Sequence, residues 1–430
     1  MLDLKALRES SEAMAGALVR RGVEDGPARV QAILQLDEGR RDAITRADAL
    51  KAIRNQVSRE IGHRKGKGED ASEAIARMRE IGDEIQALDA TVSDRDDSIR
   101  TLLMELPNVP LARVPEGGVE ANQEIRRWGE APTFPFQPRP HWELGEALDI
   151  LDLPRGARVS GSGFPVLKGA GARYQRRLID WMLDLHVDEH GYEELRVPYL
   201  VTRDTLTGTG QLPKFAEESY LTERDDLWLI PTAEVPVTNL HGDELFQASG
   251  LPVKYVAYSP CFRREAGAAG ADTRGLLRVH QFDKVELVRL ERPDDSAAAL
   301  EELTGHAERI LQLLGLHYRV VLLAAGDLGF SSAMTYDVEV WAPGVERWLE
   351  VSSCSVFNDF QSRRINLRYR PAPGEKPEFL HTLNGSALAL PRLMVALWET
   401  YQDAEGGLEI PPALQEVMGT RRIPPIPVKG

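Results

Sequence analysis

The chain has 430 residues, 42% hydrophobic and 28% charged. That is enough apolar material for two to four folded domains and too much for a chain disordered throughout. Its 52 Lys and Arg against 67 Asp and Glu leave a formal charge of −15, which argues against a polyanion-binding surface everywhere and leaves room for a local basic patch. The longest apolar stretch, near Leu388–Trp398, is broken by Pro391 and Arg392 and is too short for a membrane span. Asp3 comes almost at once, with no secretory apolar run after it, and the two cysteines, Cys261 and Cys354, make neither a four-cysteine zinc site nor a disulfide framework. A cytoplasmic protein with reduced thiols and no membrane partner is expected.

Two proline-free stretches occupy the first hundred residues, Pro27 to about Ile61 and Glu69–Leu106, with the glycine-rich Gly62-His-Arg-Lys-Gly-Lys-Gly68 between them. In the second, Met78, Ile85, Val92, Ile99 and Leu106 recur every seven residues, and Ile81, Leu88 and Leu102 fill the partner position, with Arg95 as the exception. Leu36, Ala43, Leu50 and Val57 repeat more loosely in the first. This spacing predicts an antiparallel coiled-coil hairpin. At 1.5 Å per residue, two helices of roughly 35 residues make an arm on the order of 50 Å long. Residues 40–67 hold nine Lys and Arg against three acids, and residues 69–105 hold four Arg against eleven acids. Such charges can pair across the hairpin, face solvent, or meet a polyanion on the first helix and tip, where Arg54, Arg59, Arg64 and Lys65 lie.

Pro107-Asn-Val-Pro110 ends the arm and opens a proline-rich linker that runs to about residue 140. The expected division is an N-terminal domain over 1–110, a linker over 111–140 and a second domain over 141–430. In the last, His186–Leu200, Tyr255–Phe262, Leu276–Leu290 and Trp348–Ser353 read as strands or strand ends, and Ala297–Leu314 and Ala387–Gln402 as helices. Strand-like runs on either side of a loop predict a mainly antiparallel sheet in an α+β domain. There is no GxxxxGK[ST] phosphate loop, no complete GxGxxG and no HExxH. A nucleotide would therefore be held by side chains on that sheet.

The richest stretch is Ser259-Pro-Cys-Phe-Arg-Arg-Glu265, followed by a loop of small residues, Arg274, and then Arg278-Val-His-Gln-Phe-Asp-Lys-Val-Glu286. Read as strands, it puts Arg278, His280, Phe282, Lys284 and Glu286 on one face and Leu277, Val279, Val285 and Leu287 on the other. An Arg fork suits phosphate, an aromatic ring suits a base, and a carboxylate suits an exocyclic amine. A solvated sheet face would carry the same mixture.

Phe262-Arg-Arg-Glu265 with Arg278 and Phe282 resembles motif 2 of the class II aminoacyl-tRNA synthetases. Gly385 with Arg392 seven residues on resembles motif 3, and Pro198 sits where motif 1 has its proline. The strings Gly208-Thr-Gly-Gln-Leu-Pro-Lys-Phe215, Pro231-Thr-Ala-Glu-Val-Pro236, Val279–Glu286, Val351-Ser-Ser-Cys-Ser355 and His381-Thr-Leu-Asn-Gly-Ser386 narrow the match. With the arm, they resemble the seryl-tRNA synthetase family over essentially the whole chain. Ala387, Pro391 and Val356 depart from the family pattern.

The resemblance implies ATP-dependent activation of L-serine to seryl-adenylate, then transfer to tRNA(Ser), with tRNA(Sec) as a further candidate acceptor. Arg263 and Arg392 would be the catalytic cations. Arg263, Arg264, Glu265, Arg278, Val279, Phe282, Glu350, Val351, Ser352, Ser353 and Arg392 would bind ATP. Glu350 and Ser353 would hold Mg²⁺, although strict alternation puts Ser352 rather than Ser353 on the Glu350 face, so the strand must end or bulge there. Thr232, Ala233, Glu234, Arg263, Glu286, Asn384 and Ser386 would hold serine; Thr232-Ala-Glu234 also reads as a plain helix cap with an acidic first turn. Arg54, Arg59, Arg64 and Lys65 would meet tRNA, and a homodimer is implied. The alternative is an amino acid:carrier-protein ligase built on the same core, a relative that lacks the long arm.

Overall fold

In the computed structural model, which describes residues 1–266 and 274–426, the proline-free stretches near the N-terminus are two long helices. Short helices α1 (Leu4–Glu9) and α2 (Ser11–Arg20) precede α3 (Gly26–Gly66) and α4 (Ser72–Glu105). At 1.5 Å per residue, α3 and α4 are about 60 and 50 Å long. The turn comes later than expected. Gly62 and Gly66 are helical, so His63, Arg64 and Lys65 form the basic last turn of α3, where the helix dipole favours cations. The contacts between the helices run antiparallel. Ala43 and Ala47 pack with Leu88, and Val57 packs with Ala74, Ile81 and Ile85.

The exception to the heptad has a physical reason. Arg95 reaches across α3 with Nη1 3.4 Å from the Leu36 carbonyl. It fills the space beside Gly39, where a Cβ would lie 1.6 Å from Arg95 Nη1. Beyond it the seam shifts: Ile99, Leu103 and Leu106 are buried and Leu102 only half so, as expected when a straight helix drifts against a seven-residue repeat. Among the described residues four ion pairs cross the hairpin, Arg29–Glu105 at 3.5 Å, Arg40–Asp96 at 3.1 Å, Arg46–Glu84 at 3.3 Å and Lys51–Asp89 at 3.0 Å. Nearer the tip the pattern changes. Arg64 pairs with Glu60 on its own helix at 2.6 Å, Arg59 donates to the Asn55 carbonyl, and the exposed Arg54 and Lys65 form no ion pair among the described residues. Residues Leu2–Pro107 form one compact unit, and the chain from Asn108 onward forms another.

The second unit is built on an eight-stranded sheet. Its strands are β1 (Gln123–Trp128), β2 (Glu193–Leu195), β3 (Val253–Phe262), β4 (Gln281–Glu291), β5 (Tyr318–Leu322), β6 (Met334–Ala342), β7 (Arg347–Asn358) and β8 (His381–Ala389). They lie in the order β1-β5-β6-β7-β8-β4-β3-β2, antiparallel except where β2 runs parallel to β3. Five helices matter to the site: α5 (Gly169–Asp188), α6 (Glu234–Asn239), α7 (Ser296–Leu313), α8 (Phe360–Ile365) and α9 (Leu390–Thr400). No helix among the described residues is long and apolar enough to cross a membrane.

Several boundaries differ from expectation. The segment 111–140, read as a linker, supplies edge strand β1. Leu276–His280 precede β4 instead of opening it, His186 closes a helix, and Ala387–Ala389 end a strand. Helix α9 begins only at Leu390, where Pro391 occupies the first turn and its fixed φ favours a helical start. The small-residue loop expected after Glu265 falls largely outside the described residues.

The sheet is two-sided. Leu287, Cys354 and Gly385 are neighbours across β4, β8 and β7, on the face covered by α7. A Cβ at Gly385 would lie 2.3 Å from Leu303 Cδ2 and 3.0 Å from Cys354 Sγ, so helix and strand approach as closely as they do only with glycine there. The alternate residues face the other way, and they are polar.

A histidine cluster lies where α5 and α7 meet. His186 Nδ1 is 2.9 Å from His190 Nδ1, and the His190 and His306 rings stack with centroids 3.9 Å apart. Burial first, then the neighbouring imidazoles, press His186 down to about 3 and His306 to about 4. Folded values below the ordinary one mean that, on acidification, the unfolded chain binds protons the folded chain refuses. The stability these neutral rings support is present above about pH 6.5 and is lost as pH falls toward 4. Denaturation followed by tryptophan fluorescence reports this unit alone, because all seven tryptophans lie beyond residue 107. We expect the urea midpoint to drop over that range, and the drop to be shallower in a His186→Gln, His306→Gln double variant. Equal slopes in the two proteins would mean the cluster titrates as freely when folded as when unfolded.

Candidate active site

The polar face of the sheet floors a cavity of about 540 Å³. Strand β4 brings Phe282 and Lys284 to it, β8 brings Asn384 and Ser386, and β7 brings Glu350, Val351, Ser353 and Ser355. Irregular segments close the walls. Arg263 and Glu265 follow β3, Leu276–Val279 precede β4, and Thr232 and Glu234 stand at the start of α6. Because Leu276–His280 lie outside the strand, alternation does not apply to them. Leu277, Arg278 and Val279 all reach the cavity, where strict strand parity would have sent Leu277 and Val279 to the opposite face.

Parity on β7 is reset by a bulge. Val338 pairs with Ser352 and Glu339 with Glu350, so Val351 has no partner of its own on β6. One extra residue turns the strand over, and Glu350 and Ser353 thereby share the cavity face. Ser352 points away, its Oγ donating to the Ser386 carbonyl at 2.6 Å. Opposite Ser353 stands Asp337, which nothing in the sequence motifs marked. Its side chain is half-buried, and its buried Oδ1 has no hydrogen-bond partner among the described residues. Burial first, then the Glu350 carboxylate, hold it well above the usual carboxylate range.

One end of the cavity is cationic. The Arg263 guanidinium lies over the Phe282 ring at 5.3 Å. Arg278 pairs with Glu265 at 2.5 Å, and Glu265 adopts the left-handed region at φ 50, a conformation that costs a non-glycine residue on the order of 1 kcal/mol or more. Arg392, in the first turn of α9, donates Nε to the Leu277 carbonyl at 3.1 Å and Nη1 to the Glu350 carbonyl at 2.9 Å. Helix α9 has no side-chain cap at Ala389, and Ala389 and Pro391 line the cavity. An unsatisfied helix N-terminus beside an Arg favours an anion.

The other end is carboxylic. The Asn384 amide donates to Glu234 Oε2 at 2.9 Å and to Glu286 Oε1 at 3.0 Å. Lys284 contacts Glu286. Burial first, then Glu286, push Glu234 up to about 7, against the opposing effects of Gln361, Lys284 and Arg263. Thr232 Oγ1 accepts from the Glu234 backbone N–H at 3.3 Å. The plain capping contact is therefore present, and both residues face the cavity nonetheless.

Four residues singled out from the sequence are not on the wall. Glu286 is fully buried one layer behind Lys284 and Asn384, and Ala233 and Ser352 are buried beside their lining neighbours. Arg264 turns outward, where its Nη1 donates to the Glu217 carbonyl at 3.0 Å. Conversely Asp337 and Gln361 had no signal, and Lys284, read onto the polar face, had no role assigned: an isolated Lys, Asp or Gln acquires meaning only when a fold brings it to its partner.

Comparison with known proteins agrees with this architecture. Residues 1–110 match the family model described as the seryl-tRNA synthetase N-terminal domain, and residues 217–401 match the tRNA synthetase class II core domain (G, H, P, S and T). A serine–tRNA ligase of Gemmatimonas aurantiaca is 54% identical over 97% of this chain and 99% of its own. The crystal structure of seryl-tRNA synthetase from Pyrococcus horikoshii complexed with ATP superposes with a TM-score of 0.94 at 38% identity, covering 99% of this chain and 100% of that one. The cytoplasmic serine–tRNA ligase of Naegleria fowleri in complex with AMP gives 0.89 at 28% identity, covering 99% of each. With relatives this similar along nearly the whole length of both partners, the chain belongs to the seryl-tRNA synthetase family.

Proposed function

We propose that the chain is a serine–tRNA ligase, which joins L-serine to ATP as seryl-adenylate, releasing pyrophosphate, and then passes the seryl group to a ribose hydroxyl of tRNA(Ser). The observation that carries this reading is one cavity with a buried, amide-bridged carboxylate pair at one end and three arginines beside a helix N-terminus at the other. An amino acid presents an ammonium group and a carboxylate, and ATP a polyphosphate. The two ends have the matching charges.

In the first step the serine carboxylate attacks the ATP α-phosphate in line, with no protein nucleophile. Arg263, at the cationic end but within electrostatic reach of Glu234, is suited to hold both the attacking carboxylate and the α-phosphate, where charge accumulates. Phe282 offers a face for adenine, with Glu265 as acceptor for its amino group. Arg278 is tied to Glu265 in the free site, so a bound nucleotide competes for both partners. Arg392 is placed for the γ-phosphate. Glu350 and Ser353 present oxygens with Asp337 behind them, a hard-donor set that suits Mg²⁺ and leaves room for phosphate and water oxygens. When bound, the ion would neutralise phosphate charge. Glu234 and Thr232 would receive the serine ammonium, and Ser386 and the Glu286–Lys284–Asn384 group its hydroxyl. The N-terminal unit would carry tRNA, by shape and by phosphate contacts from Arg54, Arg59, Arg64 and Lys65, and a homodimer would form through the segment around β2 and Pro198. Amino-acid-dependent ATP–pyrophosphate exchange over a panel of amino acids tests the whole reading, and exchange with none of them would overturn it.

Arg263→Ala removes a donor that acts as charge develops. Losing such a group commonly costs about 3–4 kcal/mol, or roughly 10²–10³ in rate. Serine-dependent exchange should fall by that order with the fold intact by circular dichroism. Near-normal exchange would relocate the site.

Glu286 stands behind the wall, so its influence on the serine hydroxyl runs through Lys284 and Asn384. A pocket built around that hydroxyl leaves polar groups stranded when alanine enters, and alanine should be strongly rejected. Glu286→Gln should narrow the serine/alanine ratio in exchange assays more than the serine/threonine ratio, because threonine is excluded mainly by crowding. An unchanged serine/alanine ratio would assign hydroxyl recognition to Ser386 or Thr232.

Replacing residues 30–105 with a short linker should leave adenylate formation largely intact and abolish tRNA charging. Neutralising Arg54, Arg59, Arg64 and Lys65 together is the finer test. Among the described residues none of the four pairs with α4, so phosphate contacts should show as weaker tRNA binding and a slope of log affinity against log salt shallower by up to about three units. Normal charging with the same salt slope would leave the arm acting by shape alone.

A further inference from the structure

We propose that Gln361 is a positioning residue for amino-acid recognition, holding the Glu234 carboxylate oriented to receive the substrate's ammonium group. Gln361 lies on α8 and is fully buried. Its Nε2 donates to Glu234 Oε1 at 2.7 Å and to the Thr209 carbonyl at 3.3 Å. Its Oε1 accepts from the Thr382 hydroxyl at 2.6 Å.

The amide cannot be turned over. A backbone carbonyl only accepts, so the nitrogen must face Thr209, and the hydroxyl of Thr382, itself buried on β8, satisfies the oxygen on the other side. Glu234 is thus gripped on both oxygens, by Gln361 on one and by Asn384 on the other. Asn384 is shared with Glu286, whereas Gln361 donates to no second carboxylate among the described residues. The Gln361 contact is therefore the one specific to Glu234.

The charged groups facing Glu234 are Glu286 and Lys284 from β4 and Arg263 from the segment after β3; α8 and β8 face it with the neutral Gln361 and Asn384. An ammonium ligand needs Glu234 ionised, and a donated hydrogen bond favours the ionised form. With Glu234 near 7 in the free site, the KM for serine in the unmodified protein should rise as pH falls below about 7. Removing the Gln361 donor should move that midpoint upward.

The inference rests on the reading of Glu234 as the ammonium partner, so Glu234→Gln is measured alongside Gln361→Leu in serine-dependent pyrophosphate exchange between pH 5.5 and 9. For Gln361→Leu we expect the KM for serine at pH 7.5 to rise about tenfold, the size of one hydrogen bond to a charged group, with its pH midpoint moved upward. The turnover number at saturating serine and the KM for ATP should stay within about twofold. An unchanged serine KM and midpoint, or equal losses for serine and ATP, would overturn the positioning role. Where Gln361→Leu does not fold, Thr382→Val, which releases the far side of the amide, should move the same midpoint in the same direction by less, and a fixed midpoint overturns the role there too. If Glu234→Gln leaves the serine KM unchanged, the reading of the pocket falls; if it raises that KM while Gln361→Leu does not, only the role of Gln361 falls.

Discussion

Two buried carboxylates sharing one amide make the central constraint of the molecule. Glu234 and Glu286 each accept from Asn384, and in so dry a place both cannot be ionised without nearby positive charge. The protein supplies part of it. Lys284 touches Glu286, and Arg263 lies within electrostatic reach of Glu234. Glu234 is left incompletely compensated, its carboxyl pushed up to about 7. A site poised in this way is completed by a cationic group that arrives with a ligand. Replacing the pair with apolar residues would remove the conflict, and with it the reason for an ammonium group to bind.

The two-sided sheet is what brings the pair to one corner. Glu286 sits opposite Ser386 and Leu287 opposite Gly385, so one register serves the cavity on one face and α7 on the other. A slip of a single residue would exchange those roles. Gly385 guards the register on the packed side, since any side chain there meets Leu303 and Cys354. On the open side the bulge at Val351 does the complementary task for β7, bringing Glu350 and Ser353 to one face when regular pleating would separate them.

Much of this was legible in the sequence, and what was not has physical causes. The heptads of α4 announced the hairpin because a long two-helix seam leaves little besides periodicity to specify it. Arg95 broke the pattern legibly, yet its explanation, the missing side chain at Gly39, lies on the other helix. The motif strings placed most of the cavity wall, because residues that line one cavity on a sheet come in short runs on strand ends. Strand limits were harder. Ala387–Ala389 are small enough for helix or strand, and only the pairing of Ala389 with Lys284 decides. Gln361 and Asp337 were invisible, since each acts through one partner distant in the chain and neither sits in a pattern of its own.

The charges of the arm divide between those paired across the hairpin and those that are not. Arg40, Arg46 and Lys51 satisfy acids on α4, and charge complementarity explains them. That explanation stops before the tip. Arg54 and Lys65 stay solvated, and Arg59 and Arg64 turn back to their own helix, where such contacts are worth only a few tenths of a kcal/mol. The dipole of α3 accounts for favouring Arg64 and Lys65 in its last turn, but it fades within one turn and does not reach Arg54. A chain with net charge −15 would lose nothing in solubility by placing neutral residues at these positions. Cations weakly held by their own fold are the ones whose counterions are released most cheaply to a polyanion, and that is the physical ground for proposing RNA contacts on the distal part of the arm rather than along its whole length.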